Sequence, residues 1–279
     1  MSGTFWVPMA EDVGRLADGP PRTRPARIGG SHDTAELQVA GPRYVARDAA
    51  GSADVDAAQR LRGRVFRRQA QPDCDRFDAA CRHVLIEDRA TGDLRGCFRM
   101  LHLASGAQIA RSYSAQFYEL TALSAFPGPM VELGRFCVDP AAPDPDILRV
   151  AWAAMTAYVD AEGIEMLFGC SSFTGTDPAP YRDALGLLQA RHRAPDIWAP
   201  RISAPEVVRF GTDLPPAFDL KRAQTQMPPL LRTYLMMRGW VSDHAVIDRD
   251  LDTLHVFTGL EISSVPPARA RALRALAQS

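Results

Sequence analysis

The stretch from Met130 to Phe173 constrains this chain more than any other. Two strand-like segments, Met130–Val138 and Met166–Phe173, bracket a segment, Asp146–Glu162, in which Ile147, Leu148, Ala151, Trp152, Met155, Tyr158 and Val159 recur at the helical period of about 3.6 residues. A helix with so broad an apolar face must bury it. The strands on either side, one ending at Asp139-Pro140, are the surfaces available, so the segment predicts strand, helix, strand in a layered α/β domain.

The rest of the chain adds elements to that layer. Leu37–Ala40 and Tyr44–Ala46 read as one strand broken by Gly41-Pro42, and Asp54 or Asp56 can cap a helix running through Leu61, Val65 and Phe66 to about Gln69. His83–Asp88 and Leu94–Leu103, joined by Arg89-Ala90-Thr91-Gly92-Asp93, predict a hairpin. A short helix is expected over Ala115–Leu120 and another over Pro180–Arg191; Leu230–Val241 reads as a helix entering a strand, and Leu254–Ile262 as a closing strand. The expected architecture is a mixed central sheet with helices on both faces. Residues 1–40, rich in Pro, Gly and Arg, read as a flexible arm, 41–265 as the domain, and 266–279 as a basic C-terminal helix or tail.

Composition narrows the function classes. With 46% hydrophobic residues the chain can bury a full core, and a net charge of −1 argues against a dedicated nucleic-acid binder. No apolar run approaches the roughly 18–20 residues of a membrane span. No signal peptide is read at the N-terminus, and the five cysteines, Cys74, Cys81, Cys97, Cys137 and Cys170, form no C-x-x-C pair, which fits a reducing cytoplasm. Cys74, Cys81 and His83 have poor metal-ligand spacing, so no metal site is expected. Gly169-Cys170-Ser171-Ser172-Phe173 is not a G-x-S-x-G nucleophile turn.

Several motifs, weak singly, stand together in one order: Leu61-Arg62-Gly63-Arg64-Val65-Phe66, Asp75-Arg76-Phe77-Asp78, Cys81-Arg82-His83-Val84-Leu85, Gly96-Cys97-Phe98-Arg99-Met100-Leu101, Glu132-Leu133-Gly134-Arg135, Gly169-Cys170-Ser171-Ser172-Phe173 and Pro228-Pro229-Leu230-Leu231 with Tyr234. Over about residues 55–260 this pattern resembles the GNAT-fold acyltransferases that draw on acyl carrier protein, and among them the bacterial L-ornithine Nα-acyltransferases. The acyl-homoserine-lactone synthases share part of the skeleton, but the long portion after Arg193, including Ala245-Val246-Ile247-Asp248, is similar to the ornithine branch.

The resemblance implies transfer of a 3-hydroxyacyl chain from acyl carrier protein to ornithine, with no bound cofactor because the carrier brings its own acyl-phosphopantetheine. Glutamine or another amino acid as acceptor, a lactone synthase using S-adenosylmethionine, and a non-catalytic carrier-binding module are the alternatives. Amide formation from a thioester needs a neutral amine; a carboxylate at the site can hold the ammonium and, directly or through water, take its proton, and Glu132 is the candidate. Arg62, Phe66, Asp75, Asp78, Arg99 and Arg135 are expected to bind the amino acid: the carboxylates its ammonium groups, Arg99 its carboxylate in bidentate fashion.

Glu132 and Arg135 would point to opposite sides of an ideal strand, and a bulge would bring them together. Gly169, Cys170, Ser171 and Ser172 are expected to line the pantetheine slot. Arg64, Arg67 and Arg68 are candidates for docking an acidic carrier protein. Ala141–Asp146 stands where a coenzyme A-binding member would carry a glycine-rich pyrophosphate loop. The basic residues of 268–276 suit a transient contact with anionic lipid at the inner membrane surface, although the apolar face there is small.

Overall fold

The computed structural model describes residues 36–214 and 217–278. Its elements in chain order are β1 (Gln38–Ala40), β2 (Tyr44–Asp48), α1 (Ser52–Phe66), β3 (Arg82–Asp88), β4 (Leu94–Leu103), β5 (Tyr118–Glu119), β6 (Met130–Val138), α2 (Pro145–Glu162), β7 (Met166–Thr174), α3 (Arg182–Arg191), β8 (Arg201–Ile202), β9 (Val207–Arg209), α4 (Phe210–Asp213), α5 (Leu220–Gln226), α6 (Pro229–Met236), β10 (Trp240–Val241), β11 (His244–Asp248), β12 (Thr253–Glu261) and α7 (Pro267–Ala277). One ten-stranded sheet runs β1-β2-β3-β4-β6-β7-β12-β11-β9, with β10 also paired to β12. All its pairings are antiparallel except β6 with β7, the two strands joined by α2.

Alternation along the strands explains the two helical faces. Phe98 and Met100 of β4 join Val131 and Leu133 of β6 beneath α2, whose Ile147, Ala151, Trp152 and Met155 are buried on them. Their neighbours Cys97 and Cys137 point the other way and receive Ala58 and Leu61 of α1. A third cluster packs α3, α5 and α6 on Phe173, Leu254 and Val256. The α2 helix has the ends its sequence dictates: Asp144 caps it by accepting from the Asp146 N–H, Pro145 opens it, and Gly163 closes it at φ +63°. The helices and sheet therefore match the expected GNAT-like arrangement.

Several local expectations need correction. Leu37–Ala46 is no interrupted strand; the chain reverses at Gly41, whose N–H bonds the Tyr44 carbonyl, and β1 pairs with β2. The sheet thus begins at Gln38, inside the span read as an arm, while residues 1–35 lie outside the described residues. The α1 helix starts at Ser52 without a side-chain cap, because Asp54 binds Arg47 and the Ala50 N–H, and it ends at Phe66. Residues 115–120 form a 3₁₀ turn and then β5, which pairs with β8. Strands β8, β9 and β11 carry no long apolar alternation of their own and take their conformation from their neighbours.

Candidate functional site

The parallel ladder between β6 and β7 runs only from Met130/Met166 to Glu132/Phe168, after which the two strands continue without pairing to each other. Two backbone features open that wedge. Gly169 sits at φ +156°, and a Cβ there would lie 2.3 Å from the Leu133 carbonyl oxygen, so only glycine passes. Against β4, Cys97 faces Cys137 but Arg99 faces Gly134, which leaves one extra residue in β6; Arg135 takes φ +54°. This bulge returns Arg135 to the side of the sheet that carries Glu132. A cavity of about 660 Å³ fills the wedge, with Glu132, Arg135, Tyr113, Cys170 and Ser172 on its wall.

Beside the cavity, α1, β4, β6 and the 71–78 loop lock together through charge. Arg62, 1% exposed, donates to Asp73 at 2.9 Å and to Asp78 at 2.7 Å. Arg99 grips both oxygens of Asp75, at 2.6 and 2.7 Å, and also reaches Asp78. Arg135 closes the set with bonds to Asp73 at 2.9 Å and Asp75 at 3.1 Å. Burial pushes all three carboxyls up, but the arginines outweigh it and hold them below the usual range.

This network corrects the expected roles of its members. Each oxygen of Asp75 and Asp78 already accepts at least two hydrogen bonds from arginines, Gln59 or backbone N–H groups, so neither has a lone pair for a substrate ammonium. Arg62 is sealed from the cavity, and Arg99 serves Asp75 and Asp78 instead of a free carboxylate. Buried charges persist only when paired, and here they pair with one another. Arg135 keeps Nη1 outside these ion pairs, and Phe66 lies on the cavity wall, 5.9 Å from the Arg135 guanidinium. Asp73, fully buried at the centre, was not singled out in the sequence, although it begins the Asp73, Asp75, Asp78 run.

Glu132 is almost enclosed, at 5% exposure. Its Oε1 accepts from the Ser114 N–H at 2.8 Å and Ser114 Oγ at 2.6 Å, and Oε2 accepts from the Tyr113 N–H at 2.7 Å. Oε2 therefore retains one lone pair among the described residues. Burial raises the carboxyl above its ordinary value despite those donors. Burial likewise pushes the Tyr113 hydroxyl and the Cys170 thiol up to about 12, so Cys170 stays an unreactive thiol at neutral pH. Tyr113 and Ser114 carried no sequence signal, because they reach Glu132 from a loop through two backbone N–H groups and one serine hydroxyl.

The expected slot residues are brought together: Gly169 makes the turn of the wedge, and Cys170, Ser171 and Ser172 line it, with Ser171 Oγ held by Thr258 at 2.9 Å. The arginines of α1 divide. Arg64 and Arg68 are exposed, with Arg68 at the cavity rim, whereas Arg67 is tied to Asp73 and Asp250 at 2.9 Å each and braces α1 against the β11–β12 turn. At the α2 end of the cavity, Asp144 occupies the Asp146 N–H and is itself held by Tyr44 and Arg43 at 2.9 Å. Among the described residues no cluster of three or more His, Cys, Asp or Glu is arranged to hold a metal.

The family model described as "Acetyltransferase (GNAT) domain" matches residues 58–153. An L-ornithine N(alpha)-acyltransferase of Rhizobium meliloti (strain 1021) is 34% identical over 239 residues, covering 78% of this chain and 80% of that protein. One of Rhodobacter capsulatus is 33% identical over 229 residues, covering 76% of this chain and 88% of that protein. Among solved structures, an N-acyl amino acid synthase from uncultured soil microbes aligns with 85% of this chain and 99% of its own, with a TM-score of 0.43 and 15% identity.

Proposed function

The chain belongs to the L-ornithine Nα-acyltransferase family, and from that premise we propose that it transfers a long acyl chain from acyl carrier protein to the α-amine of L-ornithine. The observation that carries the reading is the wedge between β6 and β7, with a buried, fixed carboxylate at its apex and a bulge that brings Arg135 alongside. A thioester on a narrow arm fits between the strands, where Leu133, Phe136, Leu148 and Leu230 supply apolar walls.

The amino acid enters from the α1 side and sets its carboxylate against the Arg135 guanidinium, whose Nη1 stands outside the ion pairs with Asp73 and Asp75. Glu132, its carboxyl raised by burial, takes a proton from the α-ammonium directly or through one water. The amine attacks the thioester carbon. The oxyanion is met by backbone N–H groups of the splayed strands, which no ladder occupies. As the C–N bond forms the C–S bond breaks, and the proton the nitrogen sheds ends on the departing thiol.

A carrier protein suits this slot better than coenzyme A. A pyrophosphate would sit at the N-terminus of α2, where Pro145 has no N–H, Asp144 already accepts from Asp146, and the Asp144 charge would repel it. The carrier supplies its own acyl-phosphopantetheine, so the enzyme needs no resident cofactor. Arg64 and Arg68 stand as cations for the acidic carrier to meet. No described helix is long and apolar enough to cross a membrane; we place the enzyme in the cytoplasm, with α7 in transient contact with the inner membrane surface.

The deciding experiment incubates the protein with 3-hydroxyacyl-loaded acyl carrier protein and a mixture of the common amino acids, ornithine and S-adenosylmethionine, with products read by mass spectrometry. N-acyl-ornithine is expected. Acyl-glutamine would change the acceptor, an acyl-homoserine lactone would replace the reading, and no product would overturn it.

A further inference from the structure

The cavity has a second polar wall that the mechanism above does not use. Antiparallel register sets Asp248 of β11 beside Thr253 of β12, and Thr253 beside Thr174 of β7; one pleat further along, His255 stands beside Ser172. Residues in register share a face, and Thr253 and His255, two apart on one strand, share it as well. Asp248, Thr253, His255, Ser172 and Thr174 all line the cavity.

This wall lacks partners. Among the described residues Thr253 Oγ1 and His255 Nε2, both buried, have no hydrogen-bond partner, and His255 as a whole is 2% exposed. Asp248, also buried, accepts the Asp250 and Leu251 N–H groups on Oδ1, while Oδ2 accepts from no described residue. The histidine tautomer follows from its neighbours. Tyr118 Oη donates its single proton to the His255 carbonyl at 2.9 Å, so it must accept from Nδ1–H at 3.0 Å, and Nε2 is left as a bare acceptor. Burial holds this ring neutral, with its pKa down at about 3.

A carboxylate oxygen, a hydroxyl oxygen and an imidazole lone pair, all unsatisfied, ask for a donor-only group with positive charge. An alkylammonium is that group: three N–H donors and no acceptor. The arginine-saturated Asp75 and Asp78 across the cavity cannot take it. We propose that Asp248, Thr253 and His255 form the subsite for the side-chain ammonium of the acceptor, and so select a diamino acid over a neutral one of the same length. This deepens the functional reading above and rests on it.

The test compares ornithine with norvaline, the same carbon chain without the terminal amine, as acceptors for acyl carrier thioester. Wild type is expected to prefer ornithine. Asp248→Asn keeps an Oδ1 for the two turn N–H groups but removes the charge, so KM for ornithine is expected to rise about thirtyfold or more, with kcat and the norvaline constants little changed. Thr253→Val removes a hydroxyl that bonds nothing in the free protein; a rise of about three- to tenfold for ornithine alone is expected, with Tm unchanged or higher.

If wild type does not acylate ornithine, the functional reading and the subsite fall together. If it does, but Asp248→Asn leaves the ornithine-to-norvaline ratio unchanged or lowers both acceptors alike, the subsite alone falls. Thr253→Val with an unaltered ratio would also remove Thr253 from it.

Discussion

The two walls of the cavity are built on opposite principles. On the α1 side, Arg99 and Arg135 face the cavity and are backed by Arg62, Asp73, Asp75 and Asp78; the six answer one another, and each buried charge has its partner within the protein. On the β11–β12 side, the Thr253 hydroxyl and the His255 Nε2 have none among the described residues. A saturated network holds backbone in place and offers little to a ligand; an unsatisfied set of acceptors leaves its free energy to be recovered on binding. The difference teaches that charge density alone is a poor guide to where a substrate sits.

Glu132 stands between the two regimes, with three donors and one lone pair to spare, and it gives the largest expected effect. Glu132→Gln should lower kcat by about 10²–10⁴-fold if the group moves a proton. The variant also turns an amide N–H toward the Tyr113 or Ser114 donors, at a stability cost of about 1–3 kcal/mol. A variant that lost that much stability and kept its kcat would show that Glu132 only fastens the 113–114 loop, and would place it with the saturated wall.

Arg62→Met breaks the saturated wall at its most buried arginine. Asp73 and Asp78 would each lose a partner inside the protein, and a destabilisation of about 3–5 kcal/mol is expected in urea unfolding. A loss below about 1 kcal/mol would mean that water reaches these carboxylates and that the contrast between the walls is false.

The walls should also separate in pH. Asp73, Asp75 and Asp78 are held below their ordinary values, so their contribution to stability is complete above about pH 4 and is lost as pH falls through their lowered folded values. Glu132 is raised, so the carboxylate needed as base disappears at a higher pH than an ordinary glutamate, above about 4.3. The acid limb of kcat should therefore lie above the acid-unfolding transition. Coincident limbs would tie the loss of activity to unfolding and leave Glu132 without a separate role.

Much of this was legible in the chain and some was not, for physical reasons. The β6–α2–β7 unit announced itself because local periodicity and burial agree over all three elements. The family motifs marked Glu132, Arg135 and the Gly169–Ser172 turn, and strand alternation made a bulge the condition for Glu132 and Arg135 to share a site, which Arg135 at φ +54° meets. Which arginine meets which carboxylate could not be read, since those pairs join residues such as Arg62 and Asp78, or Arg99 and Asp75, across elements. Tyr113 acts through a main-chain donor that any residue has, and Ser114 adds only a common hydroxyl to its own. His255 and Thr253 looked like ordinary strand positions; only the register with Ser172 and Thr174, and the missing partners, set them apart.

The smallest expected effect concerns the rim, where the same contrast between paired and unpaired charge recurs on one helix and its end. Arg67 is bound to Asp73 and Asp250, while Arg64 and Arg68 stand exposed. If an acidic carrier docks here, the unpaired cations meet it, and their removal should act on encounter more than on the slot itself. Arg64→Ala with Arg68→Ala should raise KM for the carrier thioester a few-fold at low salt, with kcat unchanged and stability within about 0.5 kcal/mol of wild type. The difference should fade toward roughly 0.5 M salt, where the screening length falls to a few ångströms. Arg67→Ala should instead lower stability and show little dependence on salt in its KM. Equal salt-dependent effects from Arg67 and from the Arg64–Arg68 pair would mean that the carrier opens the Arg67–Asp250 bridge when it binds, and that bridge would then belong to the docking surface.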